Sequence, residues 1–264
     1  MSGRSERFRL DGRVVVVTGG TGLLGTVYCA ALAEAGAGVV VADRDESACS
    51  AAARTLGAAH GDHALAVSVD VADPESVRRL IARTTDRFGR LDVLINNAAL
   101  RTPRFSTPVE DYHLEDWNAV VSVNLTGTFL CAQAAGRWMK AHGGGVILNV
   151  ASIYGVVAPD QRLYEGQSFN TPPVYSATKA GVIGLTRYLA AYWAKDGIRV
   201  NCLTPGGVFN DQPAEFVRRY SERSPMGRMA DREEMVGAVL YLASDASSHV
   251  TGHNLVVDGG WTAW

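Results

Sequence analysis

Seven short runs of β-branched and aliphatic residues punctuate this chain, and the stretches between them are long enough for amphipathic helices. The runs are Arg13–Thr18, Gly38–Asp43, Ala64–Asp70, Leu91–Asn96, Gly145–Ser152, Ile198–Thr204 and His253–Asp258. The first reads RVVVVT, apolar without alternation, as a strand covered on both faces must be. Helical spacing fills 23–36, 45–57, 74–88, 114–142, 174–195 and 231–243. Strand followed by helix, again and again, leaves few solutions: right-handed βαβ units and a parallel sheet with helices on both faces. The expected fold class is therefore α/β and doubly wound. No repeat, low-complexity tract or linker divides residues 1–264, so one domain is expected. Two segments break the rhythm, 153–173 and 206–227, both irregular and rich in polar residues or prolines. Segments of this kind inside a compact α/β domain are usually binding loops.

Charge and composition exclude several classes of function. The formal net charge is −2 over 264 residues, too little basic excess for a nucleic-acid footprint. Cys29, Cys49, Cys131 and Cys202 are dispersed in apolar segments without a CxxC pair, which suits buried thiols better than a metal or redox site. His60 and His63 flank a polar connector with no further ligands clustered nearby, so no metal is expected. No apolar run approaches the roughly 18 residues of a membrane span, and the polar start from Met1 to Arg13 lacks a signal-peptide core. The expectation is a soluble, cytoplasmic protein with a small-molecule partner and neither nucleic acid nor membrane.

Glycine is the one excess, 28 residues, and it concentrates where chemistry is expected. The first strand runs into Thr18-Gly19-Gly20-Thr21-Gly22-Leu23-Leu24-Gly25 and then a helix. Such a turn lets the backbone approach a pyrophosphate, whose charge the helix N-terminus stabilises. The second strand ends at Asp43, where a carboxylate can accept from both adenosine ribose hydroxyls and would repel a 2′-phosphate. NAD is thereby favoured over NADP, although Arg44 follows and softens the exclusion. Asp70-Val71 after the third strand has two readings: an adenine-edge contact, or an ordinary turn entering a helix.

Tyr175-Ser-Ala-Thr-Lys179 opens a helix, so phenol and ammonium share one face at i and i+4. A nearby ammonium favours phenolate and would lower the tyrosine pKa toward a working range. The chain has three lysines, and no other tyrosine has one four residues later. Ser152 closes the fifth apolar run, at the strand end where open parallel sheets bind ligands. Asn124 lies on the apolar face of 114–142, where an amide must find partners. Either a water relay or a local helix hydrogen bond would serve.

These residues resemble the short-chain dehydrogenase/reductases. The resemblance rests on Thr18–Gly25, Asn96-Asn97-Ala98-Ala99, Asn124, Ser152, Tyr175-x-x-x-Lys179, Pro205-Gly206 and Asp258-Gly259-Gly260, in family order over nearly the whole chain. It implies a seven-stranded Rossmann sheet, with Tyr175 as acid/base and Ser152 holding the substrate oxygen. It further implies that Lys179 grips the nicotinamide ribose and that Asn124 anchors a relay water. Along the cofactor it places Gly19, Thr21, Gly22, Leu23, Leu24, Gly25, Asp43, Arg44, Asp70, Val71, Asn97, Ala98, Ala99, Tyr175, Lys179, Pro205, Gly206 and Val208. Members are commonly tetramers packed through the equivalents of 114–142 and 174–195. Trp117, Trp138, Tyr188, Tyr192 and Trp193 load those helices with aromatic bulk, and the tail 260–264 is apolar; both fit a homo-oligomer, dimer or tetramer.

Two departures sharpen the expectation. The glycines fall as TGxxGxxG, the spacing of the family's extended branch, in a chain otherwise of the shorter form. The separation of Ser152 from Tyr175, 23 residues, exceeds that of most of the family. The insertion carries Asp160, Arg162, Tyr164, Glu165, Gln167, Ser168 and Asn170, a set suited to a polyhydroxylated or anionic substrate. Arg101, Arg104, Ser152, Tyr154, Arg162, Tyr164 and Gly207 are the expected substrate contacts. The expected activity is NAD(H)-dependent interconversion of a secondary alcohol and a ketone, on a sugar, sugar-derived or other polar substrate. The alternatives are an epimerase or dehydratase using tightly bound NAD, which would form no net NADH, and a non-catalytic NAD sensor.

Overall fold

β1 (Val14–Thr18) divides its side chains between two cores, and the rest of the architecture follows from that division. Val15 and Val17 pack into one apolar cluster, Val14 and Val16 into another on the opposite side. This is the period-2 geometry of a strand buried on both faces. The computed structural model describes residues 4–61 and 63–264. The first three residues of the polar start, and Asp62 between the two histidines, lie outside them.

β1 joins β2 (Gly38–Asp43), β3 (Ala64–Ser68), β4 (Val93–Asn96), β5 (Gly145–Val150), β6 (Ile198–Pro205) and β7 (Asn254–Val257). All neighbours are parallel, in the order β3-β2-β1-β4-β5-β6-β7. One face is covered by α1 (Leu23–Glu34), α2 (Glu46–His60) and α8 (Val236–Ala243), through Tyr28, Leu32, Cys49, Val239 and Leu242. The other carries α3 (Pro74–Phe88), α5 (Thr128–Ala141) and α6 (Pro173–Trp193), through Leu80, Ala132, Met139 and Leu189. Each aliphatic side chain so buried contributes about 1.5–3 kcal/mol. All four cysteines are buried and unpaired, and burial pushes every thiol up, Cys49 and Cys202 to about 11.

A buried amide chain ties the central strands to the second helical layer. Asn96 donates to Asn149 at 2.9 Å and to the Thr128 carbonyl, and Asn149 donates to Thr186 at 2.9 Å. Leaving any of these groups without its partner would cost about 1–3 kcal/mol.

The helix expected over 114–142 is present, with one irregularity. α4 (Leu114–Val121) and α5 form one continuous helix from 114 to 141, joined by a wider π turn at Ser122–Gly127. By length and composition this helix is apolar enough to cross a membrane. It packs as a core helix, with Val120, Cys131, Ala135 and Met139 buried. The second irregular segment contains a helix, α7 (Ala214–Arg223). Phe216 and Tyr220 face inward one turn apart, while Glu215, Arg218 and Glu222 pair along the exposed side. Flanking prolines and a span of ten residues hid that pattern in the sequence.

α7 and the 153–173 segment close on one another. Asp160 accepts from Arg162 and forms an ion pair with Arg223, and Arg219 donates to the carbonyls of Arg162 and Glu165. Beneath these contacts Ile153, Leu163, Phe216, Tyr220, Met229 and Trp261 form a separate apolar cluster. Trp261 stacks on Tyr220 at 4.3 Å, so this part of the tail is spent inside the chain rather than outside it. Trp193 likewise belongs to the core. Tyr188 and Tyr192 on α6 are 65% and 58% exposed.

Candidate active site

At the carboxyl end of the sheet, the crossovers leave β1 and β4 in opposite directions, and a crevice opens between them. The strand ends are stitched from below. The Thr18 hydroxyl donates to the Ile95 carbonyl and accepts from the backbone N–H of Asn97 and Ala98. Asn97 donates its amide to the carbonyls of Thr18 and Gly19. A Cβ on Gly19, which has φ +63°, would lie 2.8 Å from the Ala98 Cα; one on Gly25 would collide with the Gly19 carbonyl. The turn is thus as close-packed as backbone allows. Gly22 caps α1 without a side chain, which leaves the first helical N–H groups open toward the crevice.

Above the turn lies a cavity of about 750 Å³. Gly19, Thr21, Gly22, Leu23, Leu24, Asp43, Arg44, Asp70 and Val71 line one end, and Asn97, Ala98, Ala99, Pro205, Gly206 and Val208 line its middle. Gly25 stands behind the turn. Asp43 accepts from the Thr21 N–H and hydroxyl, at 3.1 and 2.6 Å. Asp73, not Asp70, caps α3, so Asp70 is left facing the cavity. These residues fit a dinucleotide: open helix N–H groups for a pyrophosphate, a carboxylate for a ribose and a long cleft between them.

The far end holds the proton-transfer candidates. Ser152 lies two residues beyond β5, rather than at its end; its hydroxyl accepts from the Tyr154 N–H at 3.2 Å and lines the same cavity as Tyr175. A Cβ on Gly155 would sit 2.6 Å from the Lys179 carbonyl carbon, so this loop can lie directly on α6. Lys179 is buried and donates to the Val150 carbonyl at 2.8 Å. Asn124 sits in the π turn and accepts from the Leu100 N–H at 2.8 Å, which removes the local-helix reading of its side chain. Its amide nitrogen is buried with no partner among the described residues.

The comparisons with known proteins agree with this geometry. A family model described as enoyl-(acyl carrier protein) reductase matches residues 24–262. A cis-4-hydroxycyclohexanecarboxylate dehydrogenase from Sinomonas cyclohexanicum is 42% identical over 95% of this chain and 97% of its own. A gluconate 5-dehydrogenase from Burkholderia cenocepacia, solved with NADP and tartrate, superposes with a TM-score of 0.88 at 36% identity over 98% of each chain. A short chain dehydrogenase from Leptospira borgpetersenii with bound NAD+ gives 0.85 at 36% identity, over 99% of this chain and 96% of that one. The chain belongs to the short-chain dehydrogenase/reductase family. It is an oxidoreductase of CH–OH groups that uses a nicotinamide cofactor.

For this dehydrogenase/reductase the site differs from expectation in three respects. Arg104 and Arg162 do not line the cavity: Arg104 pairs with Asp116 and Glu115, and Arg162 with Asp160. Both lie within reach of carboxylates on their own loops or on α4, and those ion pairs hold them away. Ser152, Tyr154, Tyr164, Gly207 and Arg101 do line it. Second, the sequence pointed to none of the aromatic wall formed by Phe105, Phe169, Phe216 and Tyr220. The 216/220 spacing was the one available signal. Third, Tyr175 is not depressed by Lys179. Burial pushes the phenol up, against smaller downward pulls from the Ser152 hydroxyl and the Arg101 charge.

Lys179 itself is pushed down to about 8, by burial. An unfolded chain keeps lysine protonated to about pH 10.4, whereas the folded chain releases the proton near pH 8. Folding stability therefore rises with pH across that window. Lys179→Met should remove this rise: between pH 8 and pH 10 the parent's Tm should gain several degrees relative to the variant. Scanning calorimetry at both pH values checks it, and a constant Tm difference would contradict the burial argument.

Proposed function

We propose that the enzyme oxidises a secondary alcohol to a ketone, or the reverse, with NAD(H), on a small hydroxylated substrate held at the Tyr175 end of the cavity. The observation that carries this reading is the meeting of Ser152, Tyr175 and Lys179 at one end of a cleft whose other end suits a dinucleotide. The bound nicotinamide would accept or return the hydride. The remaining work falls to this chain's side chains. Ser152 holds the substrate oxygen, and the Tyr175 hydroxyl takes or returns its proton. Lys179, with its pKa near 8, is the next proton carrier behind Tyr175. The unpartnered Asn124 amide nitrogen suits an ordered water that would continue the path toward solvent.

The preference for NAD rests on Asp43, whose carboxylate would stand against a 2′-phosphate. Arg44 beside it lines the same end and moderates the effect. Relatives of this chain hold NADP in one case and NAD+ in another, so the choice turns on these two residues. We further read the enzyme as a cytoplasmic homo-oligomer, dimer or tetramer. The exposed Tyr188 and Tyr192, stacked with ring centroids 6.0 Å apart on α6, support an interface there.

Tyr175→Phe should bind NAD+ with unchanged affinity yet lose at least about 100-fold in turnover; full activity in stopped assays of NADH absorbance would refute the acid/base role. Asp43→Asn keeps an acceptor for Thr21 and removes the charge. It should raise the NADP-to-NAD ratio of kcat/KM by about tenfold, about 1.4 kcal/mol, and an unchanged ratio would overturn the assignment. Light scattering at micromolar concentration should give a mass at least twice that of the chain, and Tyr188→Glu with Tyr192→Glu should lower it.

A further inference from the structure

Beyond Tyr175 the cavity is walled by rings: Phe105, Phe169, Phe216, Tyr154, Tyr164 and Tyr220. Most of the polar side chains in this half are bonded to one another or to backbone. The Tyr164 hydroxyl sits 3.0 Å from that of Tyr154 and 2.7 Å from that of Thr171. The Tyr220 hydroxyl accepts from the Gly207 N–H at 2.6 Å, and Gln212 bridges the Asn210 N–H and the Val208 carbonyl. A polyol would have to compete with these bonds for most of its own. The Asn170 side-chain oxygen, buried without a partner among the described residues, is an exception and can accept from one hydroxyl.

The charges in this half are equally one-sided. Among the described lining residues, the carboxylates are Asp43 and Asp70, both at the nucleotide end. The cations near Tyr175 are Lys179, buried and bonded to the Val150 carbonyl, and Arg101. Arg101 stands at the rim and makes no ion pair with any described residue, whereas its neighbour Arg104 is paired. Its guanidinium lies 5.1 Å from the Phe105 ring centroid, and Phe105 meets Tyr175 edge-on at 6.0 Å. Phe105 is buried. One buried ring therefore borders both the unpaired guanidinium and the Tyr175 phenol.

We infer that the substrate is a hydroxy-monocarboxylate with an apolar carbon skeleton. Arg101 binds its carboxylate, and Ser152 and Tyr175 hold its secondary alcohol. A guanidinium offers two parallel N–H donors matched to a carboxylate, and the rings between suit a short aliphatic or alicyclic chain. The Arg101 charge also pulls the Tyr175 and Tyr164 hydroxyls downward, against the larger upward push of burial. The inference rests on the dehydrogenase reading for the role of the alcohol, but not for the recognition of the anion.

Two measurements separate the two. Calorimetry on the full chain saturated with NAD+ compares cyclohexanecarboxylate with cyclohexylmethanol, its neutral counterpart, neither of which carries a secondary alcohol. The carboxylate should bind at least about tenfold more tightly. Arg101→Gln should abolish that preference without changing NAD+ affinity, and Arg101→Lys should restore part of it. Equal affinities in the parent protein would overturn the inference, as would a preference that survives in Arg101→Gln. NADH formation is then followed with 3-hydroxycyclohexanecarboxylate and with cyclohexanol. Anion-selective binding without NADH from any alcohol leaves the carboxylate site standing and removes the dehydrogenase reading. Equal turnover of the neutral and the anionic alcohol removes the carboxylate site and leaves the dehydrogenase.

Discussion

The site depends on the parallel pairing of β1 with β4 and on the opposite departures of the chain from their two ends. Because the crossovers cannot occupy the same space, the strand termini open into a crevice instead of closing over one another. The hydrogen bonds among Thr18, Ile95, Asn97 and Ala98 hold that opening at one width. Gly19 and Gly25 let the turn fold onto itself without side chains intervening. Any residue with a Cβ at Gly25 would push the turn out of line with the helix that is meant to receive the phosphates.

A second constraint is the placement of a lysine ammonium in a buried position. Lys179 loses hydration and recovers one hydrogen bond, which it donates to the Val150 carbonyl, and its pKa drops accordingly. A protein selected only for stability would gain by replacing it, since desolvated charges are costly unless well paired. Its retention beside Tyr175 is what a proton-transfer site requires. The π turn at Ser122–Gly127 follows the same logic: a locally widened helix gives up regular hydrogen bonding and brings the Asn124 side chain to the Leu100 backbone.

Much of the architecture was legible in the sequence because its signals are local. Strand runs, helical periods, the glycine turn and the Tyr175–Lys179 spacing need only a few neighbouring residues to be read. α7 was missed because its pattern is short and lies between prolines. Arg104 and Arg162 were misplaced because no sequence reading shows which carboxylate a flexible cation will reach first. Arg104 pairs with Asp116 and Arg162 with Asp160.

By itself the sequence determined the class of fold, the position of the dinucleotide turn, and the residues able to move a proton. Periodicity and side-chain chemistry carry that information without reference to distant parts of the chain. Only the tertiary structure decided what the substrate half is made of. Folding joined the 153–173 segment to α7, used up most of the hydroxyls and amides of both in bonds to each other or to backbone, and turned their rings inward. It left one guanidinium, that of Arg101, facing the same space as Tyr175 without an ion partner among the described residues. Pairing between segments far apart in sequence determines which polar groups remain free, so it also determines what the cavity can recognise.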